Sequence, residues 1–140
     1  MKLISLKINN FRQFYGEQII EFSTNLDRNV TVIHGENGSG KTTLLNSFKW
    51  LFYGITDFDT GNEKLLNERL VAESPEGENM EMEVKIDFEH EDIVYHASRV
   101  QNFVKELGLS YQEKNKSSDF VLTYVDENGA HCHSNTSENH

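Results

Sequence analysis

Apolar and polar residues alternate from the start of the chain. Ile4, Leu6 and Ile8 are separated by Ser5 and Lys7, a period of two that predicts a half-buried strand from Lys2 to Asn9. Gln18-Ile19-Ile20-Glu21-Phe22 reads as its antiparallel partner, and Asn10 to Gly16 between them is a turn loaded with aromatics. A second apolar run, Val30 to His34, also reads as a strand. The period then lengthens. Leu44, Leu45, Phe48, Leu51 and Phe52 recur at helical spacing, predicting a helix from Lys41 to Tyr53 that stops at Gly54. On that reading Trp50 and the phenylalanines are core residues that anchor the helix.

From residue 55 to 79 the pattern fades into Asp, Gly, Asn and Glu with the only proline, Pro75. This is a loop with room for a short helix through Leu65 to Val71. Met82, Val84, Ile86 and Phe88 then alternate with charged residues, His90-Glu91-Asp92 turns, and Ile93 to Arg99 returns, predicting an antiparallel hairpin with one wet face. Phe120 to Val125 is a further strand, closed by the turn signal Asn128-Gly129. The expected organisation is a single lobe: strand pair, loop and helix over 1–54, loop over 55–79, antiparallel β subdomain over 80–130, and a polar tail over 131–140.

Composition bounds this picture. The chain has 140 residues, 36% of them hydrophobic, enough for one domain, and no apolar stretch long enough to cross a bilayer. Its start runs straight into a strand, without the hydrophobic segment and cleavage site of a secretory signal, so the expectation is a cytoplasmic protein. A lone Cys132 agrees with a reducing compartment. Net charge is −10, with six Lys/Arg against four Asp/Glu over residues 1–50 and seven against nineteen over 51–140. The acidic part is read as a solvated face. Any DNA contact then comes from a local basic patch or another segment.

The candidate chemistry lies between the apolar run and the helix. Gly35-Glu36-Asn37-Gly38-Ser39-Gly40-Lys41-Thr42 is a complete phosphate-binding loop behind a predicted strand. Polyphosphate is held best by backbone N–H groups converging at a helix N-terminus, where the dipole adds partial positive charge. Gly35, Gly38 and Gly40 let the main chain approach the phosphates, Lys41 reaches the terminal phosphates as a point charge, and Thr42 is placed to ligate magnesium. The fixed positions should arise by accident in roughly one chain of this length in a few hundred. Nucleotide binding is therefore the primary reading.

Three other features compete for a role. Val121 to Asp126, followed by Glu127, has the form of the acidic strand that holds magnesium in phosphate-loop ATPases. Asn128-Gly129 directly behind it makes a surface hairpin the better reading, because no helix follows to cover a buried central strand. Leu109-Ser110-Tyr111-Gln112 lacks the paired glycines of the ABC-type signature motif. His131, Cys132, His133 and His140 are soft-metal ligands by type, but the first three are spaced too tightly for the usual four-ligand zinc loops.

The strand from Met1 to Ile8, Asn9-Asn10-Phe11-Arg12 with Phe14, the strand ending in Glu21-Phe22, and Val32 through Leu45 together resemble the N-terminal ATP-binding lobe of SMC/RecF/SbcC-type ATPases. Phe14-Tyr15-Gly16 and Asn46 to Gly54 resemble most the DndD ATPases of DNA sulfur modification and restriction. The likeness is specific over residues 1–54, and Tyr95 to Arg99 is consistent with a later Tyr-x-x-x-Arg strand.

The resemblance implies an α/β phosphate-loop NTPase of ABC/SMC type. Its parallel sheet is incomplete in this chain, with an antiparallel β subdomain beside it. The head domain of such a DNA-repair or DNA-defence ATPase is built from both ends of a long chain joined by a coiled coil, with ATP held between two heads. Carried over by position, the nucleotide-binding set is Arg12, Gly35, Glu36, Asn37, Gly38, Ser39, Gly40, Lys41, Thr42 and Thr43. Asn37 lies near the γ-phosphate, Arg12 beside the nucleotide, and Thr42 on magnesium; the cofactors are ATP and Mg2+.

A coiled coil, a glutamine loop, the signature and a second acidic motif are missing, and Gln101 is read as an ordinary polar residue at a strand end. No residue is assigned a catalytic role. The expected partners are a C-terminal lobe or a second head, and DNA through the assembled complex, with no membrane. A fragmentary lobe would bind Mg-ATP weakly alone and hydrolyse it only when complemented. The alternative is a non-catalytic, nucleotide-dependent interaction module; a small-molecule kinase is disfavoured because antiparallel hairpins, not parallel strand and helix units, follow the first helix.

Overall fold

The computed structural model describes residues 1–22, 41–54, 65–114 and 117–138. Among the described residues, seven strands and two helices follow one another as β1 (Lys2–Asn9), β2 (Glu17–Glu21), α1 (Lys41–Tyr53), α2 (Glu68–Glu73), β3 (Asn79–His90), β4 (Ile93–Lys105), β5 (Tyr111–Glu113), β6 (Ser117–Asp126) and β7 (Gly129–Glu138). The strands form one sheet in the order β2-β1-β3-β4-β6-β7. Every pairing in it is antiparallel. β5 takes the same edge of β4 as β6, pairing with Phe103 to Lys105.

The predicted β1, α1 and hairpin β3–β4 are all present; the short helix expected through Leu65 to Val71 lies at Glu68–Glu73, the strand expected over Phe120 to Val125 extends to Ser117–Asp126, and two larger departures stand out. β4 runs on past Arg99 to Lys105 because both of its edges are paired, by β3 on one side and by β6 and β5 on the other. Gln101 therefore sits inside a central strand opposite Met82 and is buried, not at a strand end. Residues 131–138, read as a polar tail, instead complete β7, which pairs with β6 along its whole length from Asp126↔Gly129 to Ser117↔Glu138. Backbone pairing to an available edge overrides the weak strand propensity of Ser134, Asn135 and Ser137.

β1 also pairs with β3, from Lys2↔Glu89 to Asn9↔Glu83. The N-terminal strand pair and the antiparallel subdomain, expected as separate pieces, are thus one sheet. The parallel portion of the expected fold would rest on Val30 to His34, which lies outside the described residues.

The core lies between one face of this sheet and α1. Leu6, Ile8, Met82, Val84, Ile86 and Ala97 meet Trp50 and Leu51, all fully or almost fully buried. At about 25 cal/mol per Å2 of apolar surface removed from water, such side chains contribute about 1.5–3 kcal/mol each before entropy is counted. Arg99, also buried, ties the two layers together: its Nε donates to the Leu51 carbonyl at 2.9 Å and its Nη1 to the Ser118 hydroxyl at 2.7 Å. Burial lowers the pKa of this guanidinium, and Asp119 offsets part of the effect. α1 ends where the sequence predicts, with Gly54 at φ 66° and its N–H on the Trp50 carbonyl.

α2 is short and held at both ends by tertiary contacts. Lys105, buried at the end of β4, donates its ammonium to the Val71 carbonyl, a cation at the helix C-terminal end. Tyr111 packs edge-on to Phe103 at 5.2 Å between ring centroids and hydrogen-bonds to the backbone at Leu66. Burial pushes its phenol up to about 12.

Candidate nucleotide site

α1 begins at Lys41, so the last two positions of the phosphate loop and the next residue form the first turn of a helix. There is no acidic residue in that turn. The free backbone N–H groups and the positive end of the helix dipole are thus not neutralised by a carboxylate of the helix itself. Thr42 is exposed and Thr43 buried. Gly35, Glu36, Asn37, Gly38, Ser39 and Gly40 lie outside the described residues, as does the side chain of Lys41.

The loop between β1 and β2 comes up against this first turn. Thr43 Oγ1 donates to Gln13 Oε1 at 2.7 Å. Phe11, fully buried, packs on Trp50 at 5.8 Å between ring centroids. The sequence reading brings Arg12 to the nucleotide but misses Gln13, which touches the first turn of α1 at Thr43, the residue directly after the phosphate loop. No residue-level signal marks Gln13 out, since the contact spans thirty positions.

The loop has an unusual backbone. Asn10 has φ 57° and Arg12 φ 51°, both in the left-handed region. Asn tolerates that conformation; for arginine it costs on the order of 1 kcal/mol. A ring of hydrogen bonds holds it there. Asn10 accepts at Oδ1 from the Gly16 N–H at 2.9 Å and donates through Nδ2 to the Glu81 carbonyl at 2.9 Å. Arg12 N–H donates to the Leu65 carbonyl, while the Arg12 carbonyl accepts from Asn67 Nδ2 at 2.8 Å. Asn67 N–H donates to the Asn10 carbonyl at 2.9 Å. At the outer end Tyr15 donates to Glu73, and the Arg69 guanidinium lies 4.2 Å above the Tyr15 ring and 2.9 Å from the same carboxylate. The Tyr15 hydroxyl and then Arg69 lower the pKa of Glu73.

Asn46, one turn further along α1, is buried with its Nδ2 unpartnered among the described residues.

The acidic run at the end of β6 is a hairpin, as the turn signal predicts. Asp126 Oδ1 accepts from the Asn128 N–H and lies 2.8 Å from His131 Nε2, so its carboxylate is engaged in closing the turn. His131 and then Asn128 lower its pKa. His131 and His133 both stack on Tyr124, at 4.8 and 5.8 Å. Cys132 lies between them in the strand and points to the other face, so the three side chains do not converge on one ion. Leu109 and Ser110 sit in a turn leading into β5, not at the start of a helix as an ABC-type signature requires. On the sheet face away from α1, Val94, His96, Thr123, Val125 and Cys132 line an open hollow of about 550 Å3. No helix among the described residues is long and apolar enough to cross a membrane.

A family model described as an AAA domain matches residues 5–138. Among curated proteins the chain is 33% identical over 99 residues to the DNA double-strand break repair Rad50 ATPase of Halobacterium salinarum, a match covering 71% of this chain and 10% of that protein. It is 28% identical over 107 residues to the SbcC component of the nuclease SbcCD of Staphylococcus aureus (strain MRSA252), covering 76% of this chain and 10% of that one. The matched segment thus spans about a tenth of the length of these relatives.

Proposed function

The chain belongs to the AAA-domain family, and from that membership we propose that it is the N-terminal ATP-binding lobe of an SMC-like ATPase acting in DNA repair. The observation that carries this reading is the start of α1 at Lys41, inside the phosphate-loop motif, with a first turn free of carboxylates. The residues present fit a magnesium-bound nucleoside triphosphate. Main-chain N–H groups of 35–42 and the Lys41 ammonium take the phosphates, the exposed Thr42 hydroxyl takes the metal, and the strained loop carrying Arg12 and Gln13 closes one side. ATP bound there supplies the phosphoanhydride bond. The chain's own contribution is to bind and orient it.

Hydrolysis also needs a positioned water and stabilisation of charge opposite the leaving group. Asp126, whose strand has the right sequence form, is committed to its hairpin turn. The proposal therefore assigns the signature and second acidic motif to a C-terminal lobe, with a second head as the other partner and DNA engaged by the assembled complex in the cytoplasm. The relatives named for break repair and for a nuclease support the repair assignment. Phe14 to Gly16 and Asn46 to Gly54 support DNA sulfur modification as the alternative pathway. The same engagement of Asp126 favours, as second reading, a module in which ATP only biases association.

Lys41→Ala is expected to weaken Mg-ATP binding about tenfold or more, measured by calorimetric titration. Unchanged affinity would remove the proposal. Turnover on adding a lobe with the signature motif separates the ATPase from the association module.

A further inference from the structure

The amide of Asn67 serves two elements at once. Its Oδ1 accepts from the Leu70 N–H at 3.0 Å and so caps α2. Its Nδ2 donates to the Arg12 carbonyl at 2.8 Å, in a bond shielded from water. Its own N–H donates to the Asn10 carbonyl. One residue thus grips both left-handed non-glycine positions of the β1–β2 loop, Asn10 and Arg12, from 55 residues or more away in sequence. The next residue of that loop, Gln13, accepts from Thr43 in the first turn of α1.

This gives a continuous path of hydrogen bonds and one peptide unit: α2 cap, Arg12 carbonyl, Gln13, Thr43. A left-handed arginine persists only where its surroundings over-determine it, and such sites cluster where a ligand is gripped. The cap alone does not need an asparagine. Serine and aspartate cap helices as well, but neither offers a donor that reaches the Arg12 carbonyl. What asparagine adds is the donor half of the amide.

We propose that Asn67 is a positioning residue of the nucleotide site, holding Arg12 and Gln13 against the first turn of α1 through its side-chain donor. The inference rests on the nucleotide-binding reading above. Removing the donor while keeping the cap lets the loop relax out of its strained conformation, and the triphosphate loses a pre-formed wall, not a direct contact.

The test uses the 140-residue chain and Mg-ATP. Asn67→Ser keeps a neutral cap, and Asn67→Asp keeps a strong cap with an acceptor turned on the Arg12 carbonyl. Both are expected to weaken ATP binding about tenfold, the size of one buried hydrogen bond, and Asn67→Ser, which keeps a cap, to lower the thermal midpoint less than Asn67→Ala does. In an Arg12→Ala background Asn67→Ser should cost little further affinity, because residues acting through one another are non-additive.

Full ATP affinity in both variants would overturn the inference, as would additive losses with Arg12→Ala. So would a fall in thermal midpoint as large as that of Asn67→Ala, which would make Asn67 a cap and nothing more. No ATP binding by the unaltered chain would instead sink the nucleotide-site reading itself.

Discussion

The two ends of the sheet are built by different means. At the β1 end, the loop of residues 10–16 holds Asn10, Arg12 and Gly16 in the left-handed region and is tied by side-chain to backbone hydrogen bonds to Asn67 at the α2 cap, 55 residues away, and to the Glu81 carbonyl of β3, 71 residues away. At the β7 end, β6 and β7 are joined by a tight turn, every residue pairs with its neighbour across the ladder, and the ring contacts on Tyr124 come from strands immediately beside it. Regular ladder pairing, to β7 across the turn and to β4 on the other side, forms the second structure. The first stores strain and depends on distant elements to keep it, as the nucleotide-site role proposed for it requires.

The sharpest way to break the comparison is in the core under α1. Ile86 is fully buried under α1 and Val125 is 69% exposed on β6. Ile86→Ala is expected to destabilise by about 3 kcal/mol, and Val125→Ala by less than about 0.5 kcal/mol, measured by urea denaturation. Equal losses would mean that the two ends share one core.

A smaller effect is expected from Arg99→Met, which keeps the stem but removes the charge-assisted bonds to the Leu51 carbonyl and Ser118 hydroxyl. It should cost about 2 kcal/mol. Hydrogen exchange should then quicken in the last turn of α1 more than in the β6–β7 turn.

The smallest effect belongs to the turn. The folded-state pKa of Asp126 lies below the ordinary aspartate value of 3.8, because His131 and the Asn128 N–H favour its ionised form. A depressed carboxylate contributes stability that is present above its unfolded value and is lost as pH falls through the folded one. Asp126→Asn should therefore flatten the loss of hairpin amide protection below about pH 4 while leaving the β1 end unchanged. An unaltered acid limb would show that the turn does not depend on this charge.

Much of the fold was legible because its signals are local. β1, the ends of α1 and the β3–β4 hairpin follow from a period of two or 3.6 residues and from Gly54 as a stop. Of the candidate site, the sequence names the loop motif, whose residues 35–40 lie outside the described residues, and Arg12. Gln13 and Asn67 carry no mark in sequence: a Gln in an aromatic turn and an Asn before a short amphipathic stretch are ordinary. β7 was missed because its residues have little strand propensity and owe their conformation to the free edge of β6. Gln101 reads as an ordinary polar residue at a strand end, whereas β4 continues through it, paired with Met82 of β3 at that position and with β5 from Phe103 on.

The amino-acid order by itself determined where a helix opens on a phosphate-binding motif, since glycine backbone freedom, the helix period and the stop at Gly54 all act within a few residues. Only the tertiary structure decided that β1 joins β3 in one sheet, that Arg99 bonds the Leu51 carbonyl, and that Asn67 clamps the Arg12 backbone. Those contacts close long loops, and their partners are selected by shape and unmet hydrogen-bonding groups once the chain has collapsed, which no local pattern encodes.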